Sequence, residues 1–254
     1  MGGGRVGLVC FATARGRAAV VKLSPRVAGS EELDAEGDAL VFWSSTGSAV
    51  ELHDRRDGGY TLRLERLCPG TRLEDAGLGA EAMLHACGDV ARRLHCAGAA
   101  PRSFDHLADG DSARTWLRLL GGEPALQAEL RGLLAEREDD VLIHRDLHGR
   151  NILRHGDGWR IVAPQPVRAD RHAEIQPLFE AALLFGHDRA EDCELAERWL
   201  HTYATAAGMH APRARRFTML RALIGARRIA RFPNPDAPQR RLGAGMQRLA
   251  EALR

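Results

Sequence analysis

The spacing of apolar residues changes once along this chain, near Cys68-Pro69-Gly70, and that change narrows the folds open to it. Upstream, residues 6–12 and 18–23 are short β-rich apolar runs. They flank Thr13-Ala14-Arg15-Gly16-Arg17, which predicts an antiparallel hairpin. Ser30-Glu31-Glu32 predicts a helix start, with acidic residues in its first turn, and the helix should run to about Trp43. Residues 49–53 and 60–67 read as two further strands, joined across the turn signal Asp57-Gly58-Gly59. Downstream the period becomes helical. Met83, Leu84, Cys87, Val90, Ala91 and Leu94 share one face of a helix over 80–95, and Leu126, Leu130, Leu133 and Leu134 follow Pro124 in the same way. Similar spacing returns at 178–183, 195–203 and 217–224, and Pro233, Pro235 and Pro238 break the chain before a short terminal helix ending near Leu253. The expectation is an α+β chain in two lobes: a small antiparallel-sheet lobe over 1–67 and a larger, mostly helical lobe over 68–254.

Composition excludes several classes. Of 254 residues 44% are hydrophobic and 28% charged, which is globular rather than disordered. A net charge of +2 is too balanced for coating nucleic acid or an anionic membrane, and no apolar run approaches the length of a membrane span. The seven arginines between Arg213 and Arg231 form a modest cluster in a chain whose basic residues are otherwise mixed with acids. Cys10, Cys68, Cys87, Cys96 and Cys193 are odd in number and scattered, which suggests a reducing cytoplasm rather than a disulfide framework. The start, Met1-Gly2-Gly3-Gly4-Arg5, is a poor leader. Of 36 basic residues a single one is lysine, Lys22, at the end of a predicted strand.

The segment Val141-Leu142-Ile143-His144-Arg145-Asp146-Leu147-His148-Gly149-Arg150-Asn151-Ile152-Leu153 matches H-R-D-L-x-x-x-N at every specified place. An apolar strand enters it and another leaves, so residues 144–151 form a loop. That arrangement suits phosphoryl transfer. Asp146 can take the proton of an attacking hydroxyl, and Asn151 can offer an amide oxygen to Mg²⁺. A loop aims both side chains into one cleft, which neither helix nor strand spacing would do.

With these residues the chain resembles the aminoglycoside and hydroxyurea resistance kinases of the streptomycin 6-phosphotransferase type, which have a protein-kinase-like two-lobe fold. The resemblance spans nearly the whole chain. It includes Ala19-Val20-Val21-Lys22-Leu23-Ser24, Glu36-Gly37-Asp38-Ala39-Leu40-Val41-Phe42-Trp43, Leu64-Glu65-Arg66-Leu67-Cys68-Pro69-Gly70, Arg92-Arg93-Leu94-His95 and the loop itself. It implies ATP and Mg²⁺ as cofactors and a small-molecule acceptor. Lys22 would hold the α- and β-phosphates and Glu36 would pair with it. The backbone of Glu65 to Leu67 would bind adenine, Asp146 would be the catalytic base and Asn151 a metal ligand. Read from spacing alone, Glu32 competes with Glu36 for the place beside Lys22.

The match breaks at Ile161-Val162-Ala163-Pro164-Gln165-Pro166, where the family carries an Ile-Asp-Pro-Lys-like stretch. Ala163 stands in the place of the metal-holding aspartate, Gln165 in that of the lysine, and Glu174 replaces a further aspartate. Asp170 is the nearest substitute ligand. Upstream, only Gly2-Gly3-Gly4 remains where the family has its first strand and phosphate-covering turn. Arg145 stands where such families usually carry glycine, and Asp139 or Asp140 is its expected partner. A polycationic acceptor needs carboxylates, and Asp188, Glu191, Asp192 and Glu194 form the one acidic group suited to it, unless they serve the helix that follows. The expected activity is phosphorylation of a hydroxyl on a small molecule of aminoglycoside or hydroxyurea type. The alternative is an impaired relative that binds nucleotide, or a protein partner, without turnover.

Overall fold

The computed structural model describes residues 8–14, 16–25, 32–136, 139–186 and 188–254. β1 (Leu8–Ala14) and β2 (Arg17–Leu23) form a hairpin whose pairing runs down to Ala14 opposite Arg17, so most of the expected loop is strand. α1 (Glu32–Phe42) follows; the predicted start at Ser30 lies outside the described residues. β3 (Leu52–Arg56) and β4 (Thr61–Glu65) are joined by a turn in which Asp57, Gly58 and Gly59 all take positive φ. The four strands form an antiparallel sheet in the order β1-β2-β4-β3. β3 starts later than the sequence suggests because residues 48–50 pair elsewhere: Val50 N–H donates to Ile161 O at 3.0 Å, and Ile161 N–H to Ser48 O at 2.8 Å.

Beyond Leu67 the chain is mostly helical. Three short strands, β5 (Pro69–Arg72), β7 (Ile152–His155) and β8 (Gly158–Ile161), make a second sheet. β6 (Val141–Ile143) pairs with β9 (Val167–Ala169), a strand that sequence periodicity did not suggest. The helices are α2 (Ala80–His95), α3 (Asp111–Leu119), α4 (Pro124–Ala135), α5 (Gln176–Ala181), α6 (Arg189–Ala207), α7 (Ala211–Ala230) and α8 (Ala237–Ala252). α8 is longer than expected, because Pro238 sits in its first turn and starts the helix instead of interrupting it. A capping box between Asp236 and Gln239 fixes that end.

One hydrophobic core runs through both regions, from Leu62 and Trp43 to Leu84, Leu142 and Tyr203. It anchors the strand–loop–strand segment at Leu142, Ile143, Leu147 and Ile152, each almost completely buried. Emptying any one of these sites would cost about 2–5 kcal/mol, so the loop between them has little freedom. Among the described residues no helix is long and apolar enough to cross a membrane.

Candidate active site

A cleft of about 430 Å³ lies between the first sheet and the second. Val20, Leu64, Leu67 and Leu153 give it apolar walls, and Lys22, Glu36 and Ala163 open onto it. Lys22 lies next to the end of β2, so its side chain reaches across the cleft to α1. There its ammonium bonds the Glu36 carboxylate, which is 3% exposed. Glu36, rather than Glu32, is therefore the partner the helix delivers. A buried carboxylate bonded to a flexible ammonium fixes that ammonium where an anion can meet it.

Leu67 lines the same cleft. The Glu65 carboxylate is held by Arg160 and by His155 Nε2 at 3.2 Å, and its backbone N–H donates to Glu51 O at 2.9 Å. Cys68 N–H donates to His155 Nδ1 at 3.2 Å, tying the strand end to β7.

The loop after β6 is organised by buried groups. His144 accepts from the Asp146 N–H at Nδ1 (3.3 Å) and lies 3.1 Å from Val162 O at Nε2, which fixes a neutral tautomer. Burial holds its pKa down at about 4, and Trp43 stacks on the ring at 6.4 Å between centroids. Glu174, 1% exposed, accepts the backbone N–H groups of His144 and Arg145. Burial pushes its pKa up to about 7 against those bonds. Arg145 adopts φ 66°, the left-handed region that glycine enters most easily, and the grip of Glu174 holds it there. Its guanidinium donates to Ser112 Oγ at 2.9 Å. Asp139 and Asp140, its expected partners, instead hold Arg171 and Arg168.

Asp146 is held on a rigid loop that leads to the cleft-lining Leu153. Asn151 Nδ2 donates to its carbonyl at 2.9 Å and to its Oδ2 at 3.1 Å, and His148 Nε2 lies 3.6 Å from Oδ2. Burial raises the carboxyl's pKa, but the His148 hydrogen bond and charge, with smaller contributions from His144 and Asn151, outweigh it and hold the pKa below the ordinary value. The result is an ionised carboxylate at neutral pH with an oxygen available to a proton donor. His148 in turn faces Glu180, whose carboxylate accepts Gly149 N–H at 3.1 Å. Sequence spacing gave no sign of Glu174 or Glu180, because their work depends on burial and tertiary approach.

These residues do not fit Mg²⁺. The ion demands near-octahedral oxygen coordination, supplied in this fold mainly by carboxylates. The loop offers Asp146 and the Asn151 amide oxygen, while Ala163, which lines the cleft at φ 54°, contributes no side-chain oxygen. Glu36 and Glu174 are already engaged. Asp170 does not replace the missing ligand. It is buried at the end of β9, where its carboxylate holds Arg213 at 2.7 Å and caps His172 N–H at 2.9 Å. Asp139, Asp170 and His172 bring ligand atoms within 4.8 Å of one another, yet Arg171, Arg213 and the His210 N–H already occupy those atoms. Of the acidic group expected to receive a polycation, Glu191 and Glu194 are exposed, while the other two carboxylates are engaged. Asp188 caps α6, and Asp192, 4% exposed, accepts Gly186 N–H and faces Arg248.

A small antiparallel sheet with its lysine–glutamate pair, set over a helical region that presents an aspartate loop, defines the protein-kinase-like fold of small-molecule kinases. Within that class, the chain belongs to the aminoglycoside/hydroxyurea antibiotic resistance kinase family, whose model matches residues 3–232. Among solved structures it resembles the choline kinase LicA from Streptococcus pneumoniae. Identity there is 14%, with a TM-score of 0.64, over 96% of this chain and 89% of that one. The same enzyme in complex with AMP matches at 13% identity and a TM-score of 0.62, covering 98% and 90%. The macrolide 2′-phosphotransferase MphH from Brachybacterium faecium matches at 20% identity and a TM-score of 0.53, covering 98% and 89%. No curated protein sequence matches significantly.

Proposed function

We propose that the chain binds ATP in the cleft between its sheets and transfers the γ-phosphoryl group to a hydroxyl of a small molecule. The observation that carries this reading is the Lys22–Glu36 pair lining the cleft, together with the Asp146–Asn151 pair on a loop whose Asn151 carbonyl accepts the N–H of the cleft-lining Val162. Lys22 would grip the phosphate oxygens and the carbonyl of Glu65 and the backbone of Leu67 would meet adenine, as the AMP complex of the LicA neighbour encourages. The acceptor hydroxyl would attack the γ-phosphorus. A new oxygen–phosphorus bond forms, the bond to the β-phosphate oxygen breaks, ADP leaves and Asp146 takes the hydroxyl proton. The family's name suggests an aminoglycoside or hydroxyurea as acceptor.

Ala163 supports a second reading, a relative that binds nucleotide, or a protein partner, with little or no turnover. A lost metal contact is worth about 4 kcal/mol, about a thousandfold in rate. Phosphate transfer from labelled ATP across an acceptor panel separates the two, with the natural chain, Asp146→Asn and Ala163→Asp compared side by side. The first reading expects transfer by the natural chain, at least a hundredfold less in Asp146→Asn, and a gain in Ala163→Asp. Transfer seen in Ala163→Asp alone would favour the second, and equal rates in the natural chain and Asp146→Asn would overturn both assignments of the site.

A further inference from the structure

Most of the arginines on α7 are neutralised. Arg213 meets Asp170, Arg215 meets Glu197, Arg216 meets Glu129 and Arg227 meets Glu123. Arg221 and Arg228 differ. Among the described residues neither has a carboxylate partner, and the guanidinium of Arg221 makes no hydrogen bond, its Nε being fully buried. Both line a separate cavity of about 220 Å³ between α3, α5, α7 and α8, together with Trp116, Gln176, Phe179 and Gln239. Among the described residues no acidic one lines it. The Arg221 guanidinium lies over the Trp116 ring at 3.7 Å from its centroid, an arrangement that covers one face of the cation and leaves its edge to donate in-plane hydrogen bonds. Burial, then the nearby charges of Arg145 and Arg228, bring its pKa down to about 9, which still leaves it a cation at neutral pH. With its Nε out of reach of water and the side chain as a whole half-buried, an uncompensated cation there is best met by something anionic.

The cavity adjoins the catalytic loop. Arg145 bonds Ser112 at the start of α3, and the same helix carries Trp116. Gln176 follows two residues after Glu174, which holds the loop's backbone. The volume is below that of a pocket for a whole drug-sized ligand, so it suits one part of a small molecule rather than several linked sugar rings.

We propose that this cavity is an acceptor subsite for an anionic group, a carboxylate or phosphate held by Arg221 and Arg228 with an apolar part against Trp116 and Phe179. The inference rests on the phosphotransferase reading and narrows its substrate to anionic hydroxyl compounds, away from polycations. Calorimetric titration of the full chain tests it with matched probes: 3-hydroxybenzoate against 3-hydroxybenzamide, glucose 6-phosphate against glucose, and streptomycin. At least one anion should bind ten- to a hundredfold tighter than its neutral partner, the range expected for hydrogen bonds to a charged group. Which pair does so distinguishes carboxylate from phosphate. Arg221→Gln should abolish that preference. Arg228→Gln, at an exposed position, should reduce it without risk to folding. No preference in either pair, a preference that survives both substitutions, or streptomycin as the tightest probe would overturn the proposal. Binding is read without turnover, so an anion preference in a chain that transfers no phosphate would remove the activity reading and leave the subsite standing.

Discussion

His95 illustrates what a single buried side chain can cost. It lies on α2, 4% exposed, and among the described residues neither ring nitrogen has a hydrogen-bond partner. A buried polar group left unpaired costs about 1–3 kcal/mol. His95→Leu should therefore raise stability at pH 7 by about that much, measured as a higher denaturant midpoint at unchanged slope; a lower midpoint would mean the ring is doing structural work after all. Lys22 and Asp146 were legible in the sequence because each stands out, one as a lone lysine and the other inside a spaced motif. Glu174 was visible only as a departure from the family pattern. Its role in holding the N–H groups of His144 and Arg145 depends on approach across thirty residues of chain, which spacing does not encode.

Between elements, the contact of α2 with α6 sets the shape of the helical region. It depends on Gly88, where a Cβ would meet Ala206 Cβ at 2.7 Å, Tyr203 O at 2.8 Å and Ala207 N at 3.0 Å. In an isolated helix Gly→Ala is worth about 1 kcal/mol of stabilisation. Here the two helices would have to part, at about 1–3 kcal/mol for overpacking. Gly88→Ala should lower the melting temperature, and an increase would show that the interface can yield. Strong periodicity made α2 readable to the residue. α3 was missed because its buried face rests on Ala113, Trp116 and Leu119, too few positions to show a period. β9 was missed for a similar reason: it is three residues long and becomes a strand by pairing with β6.

At the scale of the whole molecule, buried titratable groups set the response to acid. Burial holds His95 at about 3 and His144 at about 4, while Glu174 is pushed up to about 7. Between about pH 4.5 and 6.5 the unfolded chain binds protons on both histidines that the folded chain refuses, which weakens folding as the pH falls. Glu174 acts in the opposite sense, since its folded form keeps a proton that the unfolded form releases. Two histidines against one glutamate leave a net uptake of one proton on unfolding, about 1.4 kcal/mol lost per pH unit of acidification. The melting temperature should therefore fall from pH 6.5 to 4.5, and His95→Leu should flatten that slope; a slope unchanged by the substitution would assign it to other groups. The same chain is fastened across its two regions by the Val50–Ile161 pairing and by Trp43 against His144, contacts between distant segments that no local pattern announces.

Ala163 has one more consequence, and it concerns descent. Its φ of 54° is a conformation alanine adopts reluctantly, whereas aspartate, asparagine and glycine enter it several times more readily. The backbone there thus still suits an acidic residue that the side chain no longer provides. Two of the four alanine codons lie one base from an aspartate codon, so from either of those the carboxylate is one mutation away, without rebuilding the loop around it. A population carrying this protein under selection for phosphorylation would have a short route back to the carboxylate.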